Sequence, residues 1–368
     1  MKKAKFVLVM AVSALFTASG NPGGAQAPGK NSDVAEKAAS ILEAYEKLGR
    51  FDGAVLLATK GEIVFSGAYG VANRDKSIPN TTRTKFSIAS LGKAMTAHLA
   101  LLLVDEGSLV LDRPIAAYLP KLSNDIANKV TLHHLLTHSS GLGWWDKDVP
   151  GYETRVFSLA ELVTLAERLD LKFEPGTDTF YSNSGYNLVA AVIESVTGKS
   201  FTTAMRERIF EPAGMRHTGF AWVDEPDDGW AVGYDRSPAG VYERAVPNRQ
   251  YYAIGAGGIY STVEDMFRWT LFLDRTLSPE SRSRMFKAHV GNNGYGWGIS
   301  RYGTKAGTLG KYALGMGGTF GFASVQSRCL DDEHYIIILS NVAQLDQSAI
   351  TNDLVNLMVG YDVEPPAK

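Results

Sequence analysis

The sequence predicts an α/β (α+β) fold, with one antiparallel sheet built from both chain ends, flanked by helices, and a mostly helical region inserted between its halves. Three observations lead there. Near the N-terminus "FDGAVLLATKGEIVFSGAYG" gives two β-rich runs around Lys60-Gly61, a hairpin pattern. Near the C-terminus "GFASVQSRCLDDEHYIIILSN" repeats strand, turn and strand, with polar "LDDE" at the turn. Between them the apolar periodicity is helical. The division this implies sets residues 32–89 plus 286–362 in the sheet region and 90–285 in the helical region, with a cleft between the two.

The elements follow in order. "MKKAKFVLVMAVSALFTASG" has three lysines, an apolar run from Phe6 to about Phe16, then small residues, which is the pattern of a secretory signal peptide. Residues 1–27 are therefore expected to be a signal and loose tail, cleaved after Gly20 or near Ala27. The run falls short of the roughly 20 apolar residues a membrane anchor needs, and no cysteine lies near it to carry a lipid, so no stable membrane anchor is expected. Export to a bacterial periplasm or beyond the cell is the localisation implied. Setting this segment aside leaves 34 basic residues against 39 acidic ones, which gives no electrostatic footprint for nucleic acid.

"SDVAEKAASILEAYEKLG" reads as an amphipathic helix with Ser32 as its cap. Leu91 to Val104 is apolar on every face, which predicts a central buried helix. "GYNLVAAVIESVTG" and "SFTTAMRERIF" are further helices, "NNGYGWGISRYG" begins the return to strands, and "QSAITNDLVNLMVG" closes the chain as a helix. The single cysteine, Cys329, cannot form an internal disulfide and sits in an alternating apolar stretch, so a buried thiol is expected.

Chemistry enters with "SIASLGKAMTAHLALLLVDEG". Ser90 and Lys93 stand at i and i+3, which on a helix puts their side chains on one face about 5–6 Å apart. A lysine in the opening turn of a buried helix faces the positive end of the dipole, and both that and burial disfavour its charged form. Either its amine is led out to water, or it serves as a neutral amine that takes the proton of Ser90. A second piece, Tyr181-Ser182-Asn183 in "EPGTDTFYSNSGYNLVAAVIE", lies between a Pro-Gly turn and a helix and is expected on a loop. A tyrosine held near a lysine in its cationic form can act as a general base, and an asparagine can bridge the lysine and a substrate amide. In "VTLHHLLTHSSGL", His134 and His138 have a spacing that suits zinc, with His133 beside them, but no carboxylate or cysteine partner is evident. Packing and hydrogen bonding near a helix end is the reading adopted for them, with a metal hydrolase kept as the remote alternative.

With these residues in hand, the sequence resembles the serine β-lactamase and penicillin-binding-protein superfamily, in its class C-like branch of esterases, D-aminopeptidases and DD-peptidases. The resemblance rests on "FSIASLGKAMTA", "LVLDRPIAAYLPKL", "VTLHHLLTHSSGL", "PGTDTFYSNSGYNLVAAVIESVTGKSF", "IFEPAGMRHTGF" and "GAGGIYSTVEDMFRW", in that order along nearly all of the mature chain. It implies a β-lactamase/transpeptidase-like fold with the active site in the cleft. It also implies an acyl-enzyme on Ser90, formed with the help of Lys93 and Tyr181, and an Asn183 that orients the substrate and Lys93. The oxyanion hole would comprise the N–H groups of Ser90 and Gly318, with Gly317 and Thr319 beside it in contact with substrate. No cofactor is implied.

The chain departs from the family at the third motif, "YALGMGGTFGFAS", where relatives carry a lysine or histidine. Gly315 or, with a shift of one, Met316 stands there, and Lys311 is the nearest basic residue in sequence. The partner expected is a small molecule or peptide. An ester or an amide of the esterase or D-amino-acid-peptidase type is favoured over a β-lactam, whose carboxylate the missing cation would meet. Trp144, Trp145 and Tyr152 either form an acyl-side pocket or pack as a lid. The alternative function is a penicillin-binding or sensor domain that acylates without efficient deacylation.

Overall fold

The runs at the two chain ends pair into one six-stranded antiparallel sheet. The computed structural model describes residues 30–367 except 123–124, 146–148, 153, 225–226, 228 and 248–250. The signal segment expected over residues 1–27 lies outside the described residues. The helices are α1 (Lys30–Lys47), α2 (Gly92–Asp105), α3 (Asp125–Lys129), α4 (Leu132–Leu136), α5 (Leu159–Glu167), α6 (Asn183–Thr197), α7 (Phe201–Met205), α8 (Val263–Thr276), α9 (Pro279–Met285) and α10 (Gln347–Met358). The strands that precede α2 are β1 (Gly53–Thr59), β2 (Glu62–Tyr69), β3 (Val71–Asn73), β4 (Ile78–Pro79) and β5 (Phe86–Ser87). Those inside the helical region are β6 (Gly219–Phe220), β7 (Tyr234–Arg236), β8 (Tyr242–Arg244) and β9 (Ile259–Ser261). The return to the sheet is β10 (Gly298–Gly303), β11 (Leu309–Thr319), β12 (Phe322–Cys329) and β13 (His334–Ser340).

The large sheet has the order β10-β11-β12-β13-β1-β2, so the chain ends meet where β1 pairs with β13 from Gly53↔Ser340 to Thr59↔His334. The Lys60-Gly61 turn has both residues in the left-handed region, the geometry a tight hairpin favours. Alternation along β1 divides its side chains between two cores. Val55 and Leu57 join α1 and α10, through Ile41, Leu42, Ile350 and Leu354, while Ala54, Leu56 and Ala58 join the core of the helical region. The sheet is thus the middle layer of three.

The expectation for α1 needs one correction: Ser32 lies inside its first turn, because the helix already runs from Lys30. The uniformly apolar run is α2, buried from Gly92 through Leu101. Cys329 is buried, and burial pushes its thiol up to about 12. Among the described residues no helix is long and apolar enough to cross a membrane.

A small sheet, β5-β9-β6, ties the segment ahead of α2 to the far end of the helical region. Ser87 pairs with Tyr260, and the Ile88 N–H donates to the Ile259 carbonyl at 2.9 Å. This short pairing fixes where the turn that enters α2 begins.

Candidate active site

That turn is strained. Ala89 has φ +46°, a left-handed conformation that costs a non-glycine residue about 1–3 kcal/mol. Ser90 is the middle residue of a single 3₁₀ turn, Ala89–Leu91, that leads directly into α2. Lys93, in the first turn of α2, is only 2% exposed, so its amine is not led out to water. Its Nζ donates to the Ala256 carbonyl at 2.8 Å and to Ser90 Oγ at 3.1 Å. Burial pushes the amine below the usual lysine range, and Tyr181 beside it opposes that push.

Tyr181 reaches the same oxygen from the other side, its hydroxyl donating to Ser90 Oγ at 2.6 Å. Lys93 Nζ lies 4.7 Å from the centre of the Tyr181 ring. Of the loop expected over Tyr181-Ser182-Asn183, only the first two residues precede the helix. Ser182 is its cap, accepting the Gly185 N–H at 3.0 Å, and Asn183 is the first residue of α6. The bridge expected from Asn183 to Lys93 is absent among the described contacts. Asn183 Oδ1 is buried and has no partner, and the lysine is held by Ala256 instead.

The oxyanion geometry follows from strand alternation. The Lys311 carbonyl accepts from Leu330 N–H at 2.9 Å, so odd-numbered residues of β11 bond toward β12. Even-numbered residues aim N–H and C=O at the opposite edge, where pairing with β10 stops at Gly298↔Leu314. The Gly318 N–H therefore points at an open edge. Side chains of odd-numbered residues face the helical region. A Cβ on Gly317 would lie 2.5 Å from the Ile88 carbonyl and 3.1 Å from Ser90 N, so the absence of a side chain there lets the strand approach the nucleophile. Ser324 of β12 locks this approach, donating to the Ile88 carbonyl at 2.8 Å. Thr319 ends the strand on the same face, with Oγ1 buried and unpartnered.

The same alternation settles the third motif. Gly315 faces the helical region, whereas Met316 stands on the outer face, 42% exposed. A Cβ on Gly315 would meet Leu91 Cδ2 at 2.8 Å and the Trp297 ring at 3.5 Å, so those two side chains fill the space a basic residue would need. Lys311 does not replace it. Four residues up the strand is about 13 Å, beyond a lysine's reach.

Trp144, Trp145 and Tyr152 divide. Trp144 is 41% exposed, stands edge-on to Tyr181 and donates its ring N–H to the Tyr181 carbonyl. Trp145 is 4% exposed and packs edge-on against Phe157 and Tyr152, which packs on Tyr252. Trp144, Trp145 and Tyr252 border a small recess at Asn183.

Two supports are not visible as motifs. Asn187 of α6 accepts the Gly255 N–H at 3.0 Å and donates to the Tyr252 carbonyl at 2.9 Å, and Thr96 donates to the Gly255 carbonyl at 2.8 Å. Together they fix the turn that presents the Ala256 carbonyl to Lys93. His138, with φ +58°, brackets Tyr181: its carbonyl accepts the Phe180 N–H at 2.8 Å and its Nδ1 accepts the Ser182 N–H at 3.1 Å. Its ring lies 4.6 Å from that of Tyr181, and burial, with the Lys93 charge, pushes it down to about 3, so it stays a neutral acceptor. His133 bonds Tyr295 and His134 accepts the Thr131 N–H. Among the described residues no group of three or more His, Cys, Asp or Glu side chains is placed to hold a metal.

The Beta-lactamase family model matches residues 38–358. The chain is 30% identical to penicillin-binding protein 4* of Bacillus subtilis, over 88% of this chain and 77% of that one. It is 31% identical to esterase EstB of Burkholderia gladioli, over 68% of this chain and 74% of that one. Among solved structures, a D-amino acid amidase from Ochrobactrum anthropi SV3 superimposes with a TM-score of 0.76 at 25% identity, covering 89% of this chain and 98% of that one.

Proposed function

The chain belongs to the Beta-lactamase family, and from that premise we propose that it is an exported serine hydrolase working through an acyl-enzyme on Ser90. Its substrates are esters or amides, of the kind an esterase or D-amino-acid amidase takes, rather than β-lactams. The observation that carries this is the convergence of Lys93 Nζ and the Tyr181 hydroxyl on Ser90 Oγ.

In this reading the buried amine of Lys93, neutral in the active form, takes the hydroxyl proton as Ser90 Oγ attacks the substrate carbonyl. The oxyanion meets the N–H groups of Ser90 and Gly318, each such donor being worth about 3–4 kcal/mol. Tyr181 gives its proton to the leaving group and recovers one from Lys93. As water opens the ester on Ser90, Tyr181 takes a proton from it while passing its own to the neutral Lys93 amine, which returns a proton to the departing Ser90 Oγ. The unpartnered Oδ1 of Asn183 is available to orient the substrate. The preference against β-lactams rests on Gly315, which offers no cation to a carboxylate and has no room for one. Export rests on the leader pattern of residues 1–27.

The test is steady-state hydrolysis of p-nitrophenyl acetate, D-alanine p-nitroanilide and nitrocefin by the native chain and Ser90→Ala. The ester or the anilide is expected to turn over faster than nitrocefin, with Ser90→Ala at least about a thousandfold slower. A Ser90→Ala rate equal to the native one would refute the nucleophile. Nitrocefin as the best substrate would refute the assignment of class.

A further inference from the structure

Of the two oxyanion donors in this reading, one belongs to the peptide group that joins Gly317 to Gly318. In a planar trans peptide the carbonyl and the N–H point opposite ways, so the Gly317 carbonyl faces β12 while the Gly318 N–H faces the open edge. Glycine flanks this group on both sides. Neither rotation that tilts it is limited by a side chain, and a Cβ on Gly318 would meet nothing within 4 Å. Besides the ladder to β12, the hold on its plane comes from the α10 side of the sheet. Gln347, the first residue of α10, donates its side-chain Nε2 to the Gly317 carbonyl at 2.9 Å and, more loosely, to the Ser324 carbonyl at 3.3 Å. Gly317 and Ser324 are direct partners between β11 and β12, so one side-chain amide grips both strands where they pass the nucleophile. Asp346 caps α10 by accepting the Ala349 N–H at 3.1 Å and pairs with Arg50 at 3.0 Å, which fixes the helix end from which Gln347 reaches.

We propose that Gln347 is a positioning residue for the oxyanion hole. Its bond to the Gly317 carbonyl keeps the peptide from tilting and, by polarising the amide, makes the Gly318 N–H a stronger donor. The proposal rests on the hydrolase reading of Ser90 and deepens it. The negative charge formed in acylation and again in deacylation is steadied from the helix layer opposite the cleft, through one peptide group.

Gln347→Glu tests it. The side chain keeps its size but offers no N–H, and a carboxylate in the first turn of a helix is favoured by the dipole, so the variant is expected to melt no lower than the native chain. With p-nitrophenyl acetate its kcat is expected to fall about tenfold, less than the 10²–10³-fold that removal of an oxyanion donor brings. KM is expected to stay near the native value, because both chemical steps slow together. Gln347→Leu is expected to show a similar loss of kcat. Native kcat in both variants overturns the proposal. A loss of kcat confined to whichever variant melts lower also overturns it, because Gln347 is then a fold contact only.

A spectroscopic readout separates this from the assignment of the nucleophile. Gly-Gly occurs at 23–24, 257–258 and 317–318. A chain labelled with carbonyl-¹³C and ¹⁵N glycine therefore gives one carbonyl-to-amide NMR correlation for each pair, and Gly318→Ala identifies the last by its loss. The Gly317 carbonyl resonance is expected to move upfield in Gln347→Leu, as it loses a hydrogen bond, while that of Gly257 stays in place. Such a shift supports the hold on the peptide even if Ser90 proves not to be the nucleophile. An unmoved Gly317 resonance overturns it even if Ser90 hydrolyses every ester.

Discussion

At the scale of single residues, the hydrogen bonds of Lys93 and Tyr181 converge on Ser90 Oγ, and their supports are backbone groups as often as side chains. Lys93 is oriented by the carbonyl of Ala256, and Tyr181 by the carbonyl and ring of His138. His138 acts on Tyr181 as a positioning residue. His138→Leu removes the acceptor for the Ser182 N–H, and kcat is expected to fall about 10–100-fold, as when a reacting group is slightly misplaced, with KM little changed. His138→Asn is expected to recover most of the rate, because asparagine offers an acceptor near the Nδ1 position and tolerates φ +58°. Equal kcat losses in both variants would leave His138 a packing residue only. The meeting of Lys93 and Tyr181 with Ser90 was legible in the sequence through residue type and spacing. Neither the role of His138 nor the Ala256 carbonyl was, since a left-handed backbone and a peptide oxygen carry no signature in residue identity. The expectation that Asn183 holds Lys93 failed for the same reason.

Among the elements, β11 does the most to make the site, and it does so by what it lacks. Gly315 and Gly317 let it lie against Leu91 and the backbone of Ser90, and β10 pairing ends at Leu314, so among the described residues no strand pairs with the Gly318 edge. Gly317→Val drives a side chain into the Ile88 carbonyl. It is expected to lower both the melting temperature and kcat, the latter by at least the 10²–10³-fold that loss of one oxyanion donor brings. Gly318→Ala, whose methyl meets nothing within 4 Å, is expected to melt with the native chain. Thermal melts and rates of the two variants check this, and a Gly317→Val enzyme with native kcat would show that the strand need not approach so closely. The hairpins, α2 and α6 were readable from periodicity and turn residues. The β5-β9-β6 sheet was not, because pairings of two or three residues leave no pattern in the sequence. The register of the third motif was ambiguous between Gly315 and Met316 until pairing assigned each residue a face.

For the whole molecule, three layers bury several histidines in neutral form. His98, fully buried between Trp269 and Thr276, is pushed down to about 3 by its surroundings, chiefly by burial, and His138 likewise. In the unfolded chain both return to about 6.5. Between those values the unfolded chain binds more protons, so the stability is present above pH 6.5 and is lost as pH falls toward 3. From pH 7.5 to 5 the loss is about 2 kcal/mol for each of these two histidines. Over that range carboxylates contribute little, since their unfolded values lie near 4. Urea unfolding at the two pH values should show the drop, and His98→Gln should reduce it by about 2 kcal/mol. A midpoint independent of pH would mean these rings are protonated in the folded state. The joining of both chain ends in one sheet was legible from the mirrored hairpins, but a cavity of about 670 Å³ walled by Trp230, Tyr260, Phe320 and Phe322 was not, because its lining residues run from 73 to 322 in sequence. The measurement that bears most directly on the account is time-resolved intact mass spectrometry of the native chain and Ser90→Ala mixed with p-nitrophenyl acetate. The account predicts a single acetyl adduct on Ser90 that forms, clears as nitrophenol accumulates, and is absent from the variant. An adduct on another residue, or one on Ser90 that persists for hours, would contradict it.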